Sequence, residues 1–401
     1  MDRIPIIVAM VMDTMRGAKA MALKVGIAGG GVGGLAAAIA LRGLGHEAAV
    51  FEQAPAYGRV GADINLTSNA VRALTGLGVL PALLETAARP TFRISRVWDS
   101  GEETSRLELA ETAVRKYGAP QLTLHRADLL DALLDRIPDG VIRLGHKVEH
   151  VEPDGGAVAV TFTNGQRQVF DAWIGADGIH SATRTALFGP EHAKYTGIVS
   201  HRGVFDRDRA PALPDLDAFV KWWGPTRDVQ LATFPLTRGR EIFVFATTPE
   251  PDWRHESWTT PGNIDEVRQA FAGFHPEARA YIDACTEVTK TALYYRDPLP
   301  QWWRGHAVLL GDACHAMPPF MAQGAAMAIE DAVVLARALS EAGRTGVEGA
   351  LASYQQARKP RADEIQQQSY DNKWLKVGGN ADWVYTYDAW SAPLSGAIEE
   401  R

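Results

Sequence analysis

The chain has 401 residues, 46% apolar and 22% charged, the make-up of an ordinary globular protein with room for two or more packed regions. Its net charge of −7 is spread without long runs, so neither a nucleic acid nor an anionic membrane is an expected partner. Cys285 and Cys314 stand far apart in no metal-ligand spacing; no metal is expected, and a reducing, cytoplasmic setting is the natural one.

Residues 4–12 are apolar, and Ala18-Lys19-Ala20 has the form of an export cleavage site. The run is too short to span a bilayer and lacks a positive flank, so residues 1–21 read as a disordered extension. Val25–Ala28 then reads as a buried strand, followed by Gly29-x-Gly31-x-x-Gly34 and the apolar helix through Leu41. That spacing suits a dinucleotide: one glycine turns the chain, one admits a pyrophosphate, and one lets helix pack on strand. The helix start offers unpaired N–H groups to phosphate. A second strand, Ala48–Phe51, ends in Glu52, where a carboxylate can accept from a ribose.

Further on, Gly58–Leu66 reads as a loop feeding a strand, and Ser68-Asn69 as a cap for a helix over 70–77. Phe92–Trp98 and Thr104–Leu109 form a hairpin pattern about Asp99-Ser100-Gly101. Leu122–Arg126 leads into a helix over 127–136, and 148–151, 158–162 and 168–173 suggest a β-meander turning at Asn164-Gly165. From 196 to 248 short aromatic-rich β runs predict a second sheet, followed by one helix over 264–274. Strands return at 293–295 and 307–310, ahead of Gly311-Asp312-Ala313-Cys314-His315. A long helix follows over 324–342, then a charged helical tail over 351–375 and an aromatic segment at 382–390. No repeat or linker divides the chain, so two regions are expected to interleave.

Three signatures stand in order: Gly29-x-Gly31-x-x-Gly34, Asp177-Gly178, and Gly311–His315 with Pro318-Pro319 after it. Together they resemble the single-component FAD-dependent aromatic hydroxylases of the p-hydroxybenzoate hydroxylase type. Met321–Ala325 and Asp382–Trp390 are most similar to the 6-hydroxynicotinate and salicylate members. The resemblance implies an α/β fold in which a Rossmann-type FAD-binding domain (22–90, 120–195, 285–370) is interleaved with a mainly β substrate domain (91–119, 196–284). A helical C-terminal tail closes the chain, with 371–401 as its aromatic end. It implies FAD as cofactor, with NADH or NADPH and O2 as co-substrates, in a monomer or homodimer. Oxygen would add at the flavin C4a and be transferred to a small aromatic or N-heteroaromatic acid or phenol, with or without decarboxylation. A flavin-free NAD-dependent dehydrogenase is the alternative on the same nucleotide turn.

The resemblance also assigns roles. Gly29, Gly31, Gly33 and Gly34 would meet the pyrophosphate, and Glu52 and Gln53 the adenosine ribose. Arg59, Arg126 and Asp312 would reach the flavin's ribityl and phosphate portion. Asp177 would touch cofactor, and the Ala325 and Ala326 N–H groups the flavin's pyrimidine edge. Pro319 and Phe320 would stand at the substrate ring. Asn65, Arg202, Thr233 and Met321 are expected to line the pocket, with His201 beside Arg202 as acid–base group. The 6-hydroxynicotinate enzymes carry His at the places of Phe320 and Asn65, so the ring itself is expected to differ. His315, Trp222-Trp223 and Trp302-Trp303 read as packing residues, and Cys314 as a small buried one.

Overall fold

The computed structural model describes residues 22–59, 63–210, 212–257, 259–342 and 346–394; the expected extension over 1–21 lies outside them. Lys24–Ala28 is an inner strand of a six-stranded sheet. Its order is Trp303–Arg304, Ala307–Leu309, Ala172–Gly175, Lys24–Ala28, Glu47–Phe51, Ile142–Arg143. Every pairing is parallel except that of the short Trp303–Arg304 strand. Such strands need apolar cover, and the Ala- and Leu-rich helix Val32–Gly43 supplies it with Leu35, Ala36, Ala37 and Leu41 fully buried.

The expected meander forms as Val148–Asp154, Ala157–Phe162 and Arg167–Phe170, but Ala172–Gly175 leaves it to join the parallel sheet. Phe51, Phe162, Phe170 and Trp173 pile together where the two sheets meet, with Phe51 and Phe162 stacked at 4.6 Å. Each such pair adds about 0.5–1.5 kcal/mol beyond its buried area.

A seven-stranded sheet runs Thr289–Tyr295, Lys194–Asp206, Glu241–Pro249, Gln230–Leu236, Phe219–Trp223, Phe92–Val97, Glu103–Glu108. The 92–108 hairpin joins it through a parallel pairing with Phe219–Trp223. Thr289–Tyr295, expected among the 285–370 cofactor segments, instead pairs along the 13-residue Lys194–Asp206 strand, whose second edge needs hydrogen-bond partners. Alternation gives this sheet two separate apolar faces. One, with Phe205, Val220, Leu231 and Val244, packs on Val267, Phe271 and Ile282. The other carries Phe219, Ala232, Phe234, Phe243 and Phe245.

The helix expected over 264–274 ends at Ala270, ahead of Gly273, and a second helix, Pro276–Ala284, starts beyond the expected range with proline in its first turn. Thr67 rather than Ser68 or Asn69 precedes the Ser68–Gly76 helix. After the helix Val347–Asp371 the tail returns to the fold, where Trp374, Leu375, Val384 and Tyr385 pack with Met321 and Met327. Among the described residues no helix is long and apolar enough to cross a membrane.

Candidate functional site

The Val32–Gly43 helix starts at the C-terminal end of the central strand, with its first N–H groups facing out of the sheet. Gly29 has φ +95°, and a methyl there would lie 2.4 Å from the Ala176 carbonyl oxygen. A methyl on Gly34 would lie 2.0 Å from the Gly29 oxygen, so helix and turn touch through glycine alone. Gly31 differs: its backbone is extended and a methyl there would meet nothing within 4 Å. Open space beside three unpaired helix donors is what a pyrophosphate requires. Gly33 faces Leu310 and Ala328 and thus serves packing, its N–H remaining with the helix start. Glu52 sits beside the turn, accepting from Gly30 N–H at 2.7 Å and Ala54 N–H at 2.8 Å, and Gln53 is exposed next to it.

Gly311 has φ +60°, and the turn it makes presents Asp312. The Asp312 side chain is exposed, yet burial raises its pKa while His315 and Arg126 pull it down. Accessibility together with desolvation places the carboxyl in a recess walled by protein. Arg126 shares that recess: burial lowers its pKa and Asp312 opposes the shift. A carboxylate and a guanidinium that influence each other at a protein-walled surface fit the polar middle of a dinucleotide such as FAD.

Two further expected contact residues have partners within the protein. Arg59 is exposed and paired with Asp128 at 2.6 Å and Asp131 at 2.9 Å, both on the Arg126–Leu134 helix. Asp177 accepts from the Ser181 hydroxyl at 2.5 Å and Thr183 N–H at 3.0 Å, so its carboxylate orders the next helix start. Its Cα would lie 3.0 Å from a methyl on Gly29, which makes it a backbone support for the turn.

The Gly324–Ala342 helix begins after Ala322, a left-handed residue at φ +55°. Met327 N–H bonds the Gln323 oxygen, which leaves the N–H groups of Gly324, Ala325 and Ala326 without an intrahelical acceptor. Gln323 donates to Thr67 at 2.8 Å and accepts from Asn69 at 3.0 Å. Beneath it lies a charge cluster that sequence reasoning missed. Asp331 accepts from Gly311 N–H at 3.1 Å, His315 at 2.6 Å and Arg358 at 2.8 Å. Glu330 takes Arg358 at 2.7 Å, Arg361 at 3.0 Å and Asn69 at 2.6 Å. Burial pushes Asp331 up, but His315 and Arg358 outweigh it and hold it below the usual carboxylate range. Glu330-Asp331 amid apolar helix residues, with Arg358 and Arg361 three residues apart on the next helix, was the available signal. Cys314 is buried with its thiol pushed well up, and Trp302 packs on His315 and Tyr354, as expected.

The substrate-side residues divide by strand alternation. Arg202 lies over the Phe245 ring at 5.5 Å, and Phe320 packs on Phe245, Ile198 and Leu293. Pro319 is exposed beside it, and Lys221 holds the Phe320 carbonyl at 3.5 Å and Asn372 at 2.8 Å. His201, one residue from Arg202, faces the other side, bonded to Thr248 at 3.0 Å. Burial first, then Lys290, lowers its pKa to about 4, so it is no base for this pocket. Thr233 pairs with Val220 and Val244 on that same far face. Met321 is turned into the tail core with Trp374 and Tyr385. Asn65 stays on the site side, accepting from Gln121 at 2.9 Å, with Asp63 two residues before it. Burial lifts Asp63 to about 6, with Arg202 opposing.

Residues 22–369 match the family model described as an FAD binding domain. The chain is 41% identical over 373 residues to a 6-hydroxynicotinate 3-monooxygenase of Pseudomonas fluorescens, covering 92% of this chain and 96% of that one. It is 34% identical to a salicylate hydroxylase of Pseudomonas putida, covering 92% and 93%. A solved salicylate hydroxylase substrate complex superposes with TM-score 0.79 at 25% identity, over 93% of this chain and 97% of that one. None of these supports a flavin-free dehydrogenase. The chain belongs to this FAD-binding family and is a flavin-dependent monooxygenase.

Proposed function

We propose that this monooxygenase hydroxylates a small aromatic or N-heteroaromatic ring bearing a hydroxyl or carboxylate, with or without decarboxylation, in the cytoplasm. NADH or NADPH would supply the electrons and O2 the oxygen. The observation that carries the reading is Arg202 over the Phe245 ring with Phe320 packed on that same ring: a flat apolar site with a cation at its border. The relationship to a 6-hydroxynicotinate 3-monooxygenase favours a nitrogen-containing ring.

FAD, when bound, supplies electron transfer and oxygen activation; the chain supplies position, charge and dryness. The donors at the start of Val32–Gly43 hold the pyrophosphate at Gly31, and Glu52 accepts from the ribose. Gln53, at the same strand end, borders that ribose. Arg126 and Asp312 hold the ribityl portion. The Ala325 and Ala326 N–H groups, at the positive end of a 19-residue helix, stabilise negative charge on the ring system. Arg202 orients an anionic substituent, and Phe320 with Phe245 keeps water from the reacting ring. A recess of about 500 Å3 is lined by His180, Arg254 and Arg296 together with Glu191 and Glu256, His180 pairing with Glu256 and Arg296 with Glu191.

The test is the purified yellow protein, assayed for NADH consumption against a panel of pyridine and benzoate acids under labelled O2. One labelled oxygen atom in the product establishes the reading. No stimulation by any ring would overturn it.

A further inference from the structure

Ala316-Met317-Pro318-Pro319-Phe320 leads from the Gly311 turn toward the long helix. Its two adjacent prolines lack N–H groups and bar the stretch from a sheet ladder. Ala316, Pro318 and Phe320 are nonetheless buried, so their carbonyls must find donors elsewhere.

The donors come from the end of the Val347–Asp371 helix. Gln366 Nε2 donates to the Ala316 carbonyl at 3.1 Å, and the Ser369 hydroxyl donates to the Pro318 carbonyl. Asn372, the residue that ends the helix, accepts from Lys221 at 2.8 Å, and Lys221 also donates to the Phe320 carbonyl at 3.5 Å. Helix positions at intervals of three thus serve every second residue of the loop, and all four side chains are buried. Lys221 belongs to the seven-stranded sheet, opposite Ala232 on the face that carries Phe219 and Phe234, and its Nζ lies 3.7 Å above the Trp223 ring. Asn372 Nδ2 donates to the Arg227 carbonyl at 2.7 Å, in the turn after that strand. The last rung therefore joins loop, helix end and sheet. Beside it a cleft of about 10 Å3, room for one water, is lined by Pro318, Phe320, Tyr370 and Asn372, which leaves the loop space to shift when a rung is lost.

We propose that Gln366, Ser369 and the Asn372–Lys221 pair are positioning residues for hydroxylation. They hold Phe320 at one distance from the substrate sheet and so set how NADH consumption divides between hydroxylated ring and hydrogen peroxide. Either way NADH gives two electrons to O2. In the first case one oxygen atom enters the ring and the other leaves as water; in the second both leave as peroxide. A fixed Phe320 keeps water from the ring, and a loop that moves admits it. This inference rests on the proposed place of Phe320 at the substrate ring.

Lys221→Met, Asn372→Gly and Ser369→Ala test it in the holoenzyme. Asn372 has φ +49°, which glycine adopts freely, so that change removes the side chain and keeps the helix end. Product and peroxide are measured per NADH with salicylate and with every other pyridine or benzoate acid that the unaltered enzyme hydroxylates. Each variant should give at least about threefold less product per NADH, with NADH consumption and the KM for NADH within about twofold of the unaltered enzyme. Lys221→Met combined with Asn372→Gly should be no worse than either alone, because both break one link. Hydrogen exchange at the Met317, Phe320 and Met321 amides, followed without substrate, should quicken at least about fivefold. Unchanged product per NADH or unchanged exchange in the variants would overturn the proposal. So would NADH consumption that falls as far as product does, since the rungs would then serve folding or flavin alone. Hydroxylation with unchanged coupling removes this inference and leaves the ring class standing, whereas no hydroxylation of any ring by the unaltered enzyme removes both.

Discussion

His201 and Arg202 are neighbours in one strand and face opposite sides of the seven-stranded sheet. Arg202 reaches the substrate side; His201 sits under the Ile264–Ala270 helix among Thr248, Lys290 and Glu266. His201→Leu should therefore leave kcat/KM within about twofold of the unaltered enzyme, whereas Arg202→Leu should lower it by at least tenfold with acidic rings. Steady-state kinetics on both variants checks this.

The same burial makes His201 a source of acid sensitivity. Its folded pKa of about 4 lies below the ordinary 6.5, so between those values the unfolded chain binds more protons than the folded one. Stability falls as pH drops through that window, by up to about 1.4 kcal/mol per pH unit from this group. Melting temperature against pH should have a shallower acid limb in His201→Leu than in the unaltered protein. Identical limbs would remove His201 from the account.

Gly31 and Asp312 separate flavin binding from folding. Gly31 has an extended backbone that any residue adopts, and a side chain there meets no protein atom within 4 Å. Gly31→Val should fold with an unchanged melting temperature in the flavin-free protein while retaining less than about a tenth of the flavin, because the β-branched group fills the phosphate's place. Asp312→Ala should weaken flavin retention and slow reduction, measured as bound flavin and by stopped flow. Full flavin content in both variants would disprove the assigned site.

Much of this was legible in the chain. The Gly29–Gly34 turn with Glu52, the Gly311–His315 turn and the 324–342 helix all carry local signals that the fold leaves intact. The pocket was less so, because its contents depend on which face of a strand survives. Strict alternation separates His201 from Arg202, and it sets Thr233 apart from Ala232 and Phe234; composition says nothing of which set looks inward. Met321 could not be placed before the tail that buries it. Glu330 and Asp331 needed Arg358 and Arg361 from another helix.

That charge cluster should be the most fragile part of the core. Arg358 is fully buried and serves both Glu330 and Asp331, and Asp331 in turn holds the Gly311 turn. Arg358→Leu leaves Glu330 with Arg361 and Asn69 and Asp331 with His315 and the Gly311 N–H, one buried cation fewer for two buried carboxylates, which costs about 3–5 kcal/mol. Denaturant unfolding should show that loss, and flavin affinity should fall with it because Asp312 loses its support. A loss below about 1 kcal/mol would mean that Arg361 alone neutralises the pair.

Phe320 is the sharpest test of the pocket, since the resemblance to the 6-hydroxynicotinate enzymes implies a histidine at its place. Its ring packs on Ile198, Leu293 and Phe245 and offers no hydrogen bond, while its carbonyl is held by Lys221. A ring substituent directed at Phe320 must shed water without gaining a partner, a mismatch of about 1–3 kcal/mol. 6-Hydroxynicotinate should therefore be turned over poorly, and a ring with one polar substituent fewer on that side should be better. Phe320→His places a donor in the same volume and should raise kcat/KM for 6-hydroxynicotinate by about tenfold relative to the plainer ring. The backbone is pinned through Lys221, so the exchange should change the ratio between rings more than flavin content. Efficient turnover of 6-hydroxynicotinate by the unaltered enzyme would show that Phe320 does not face the substrate.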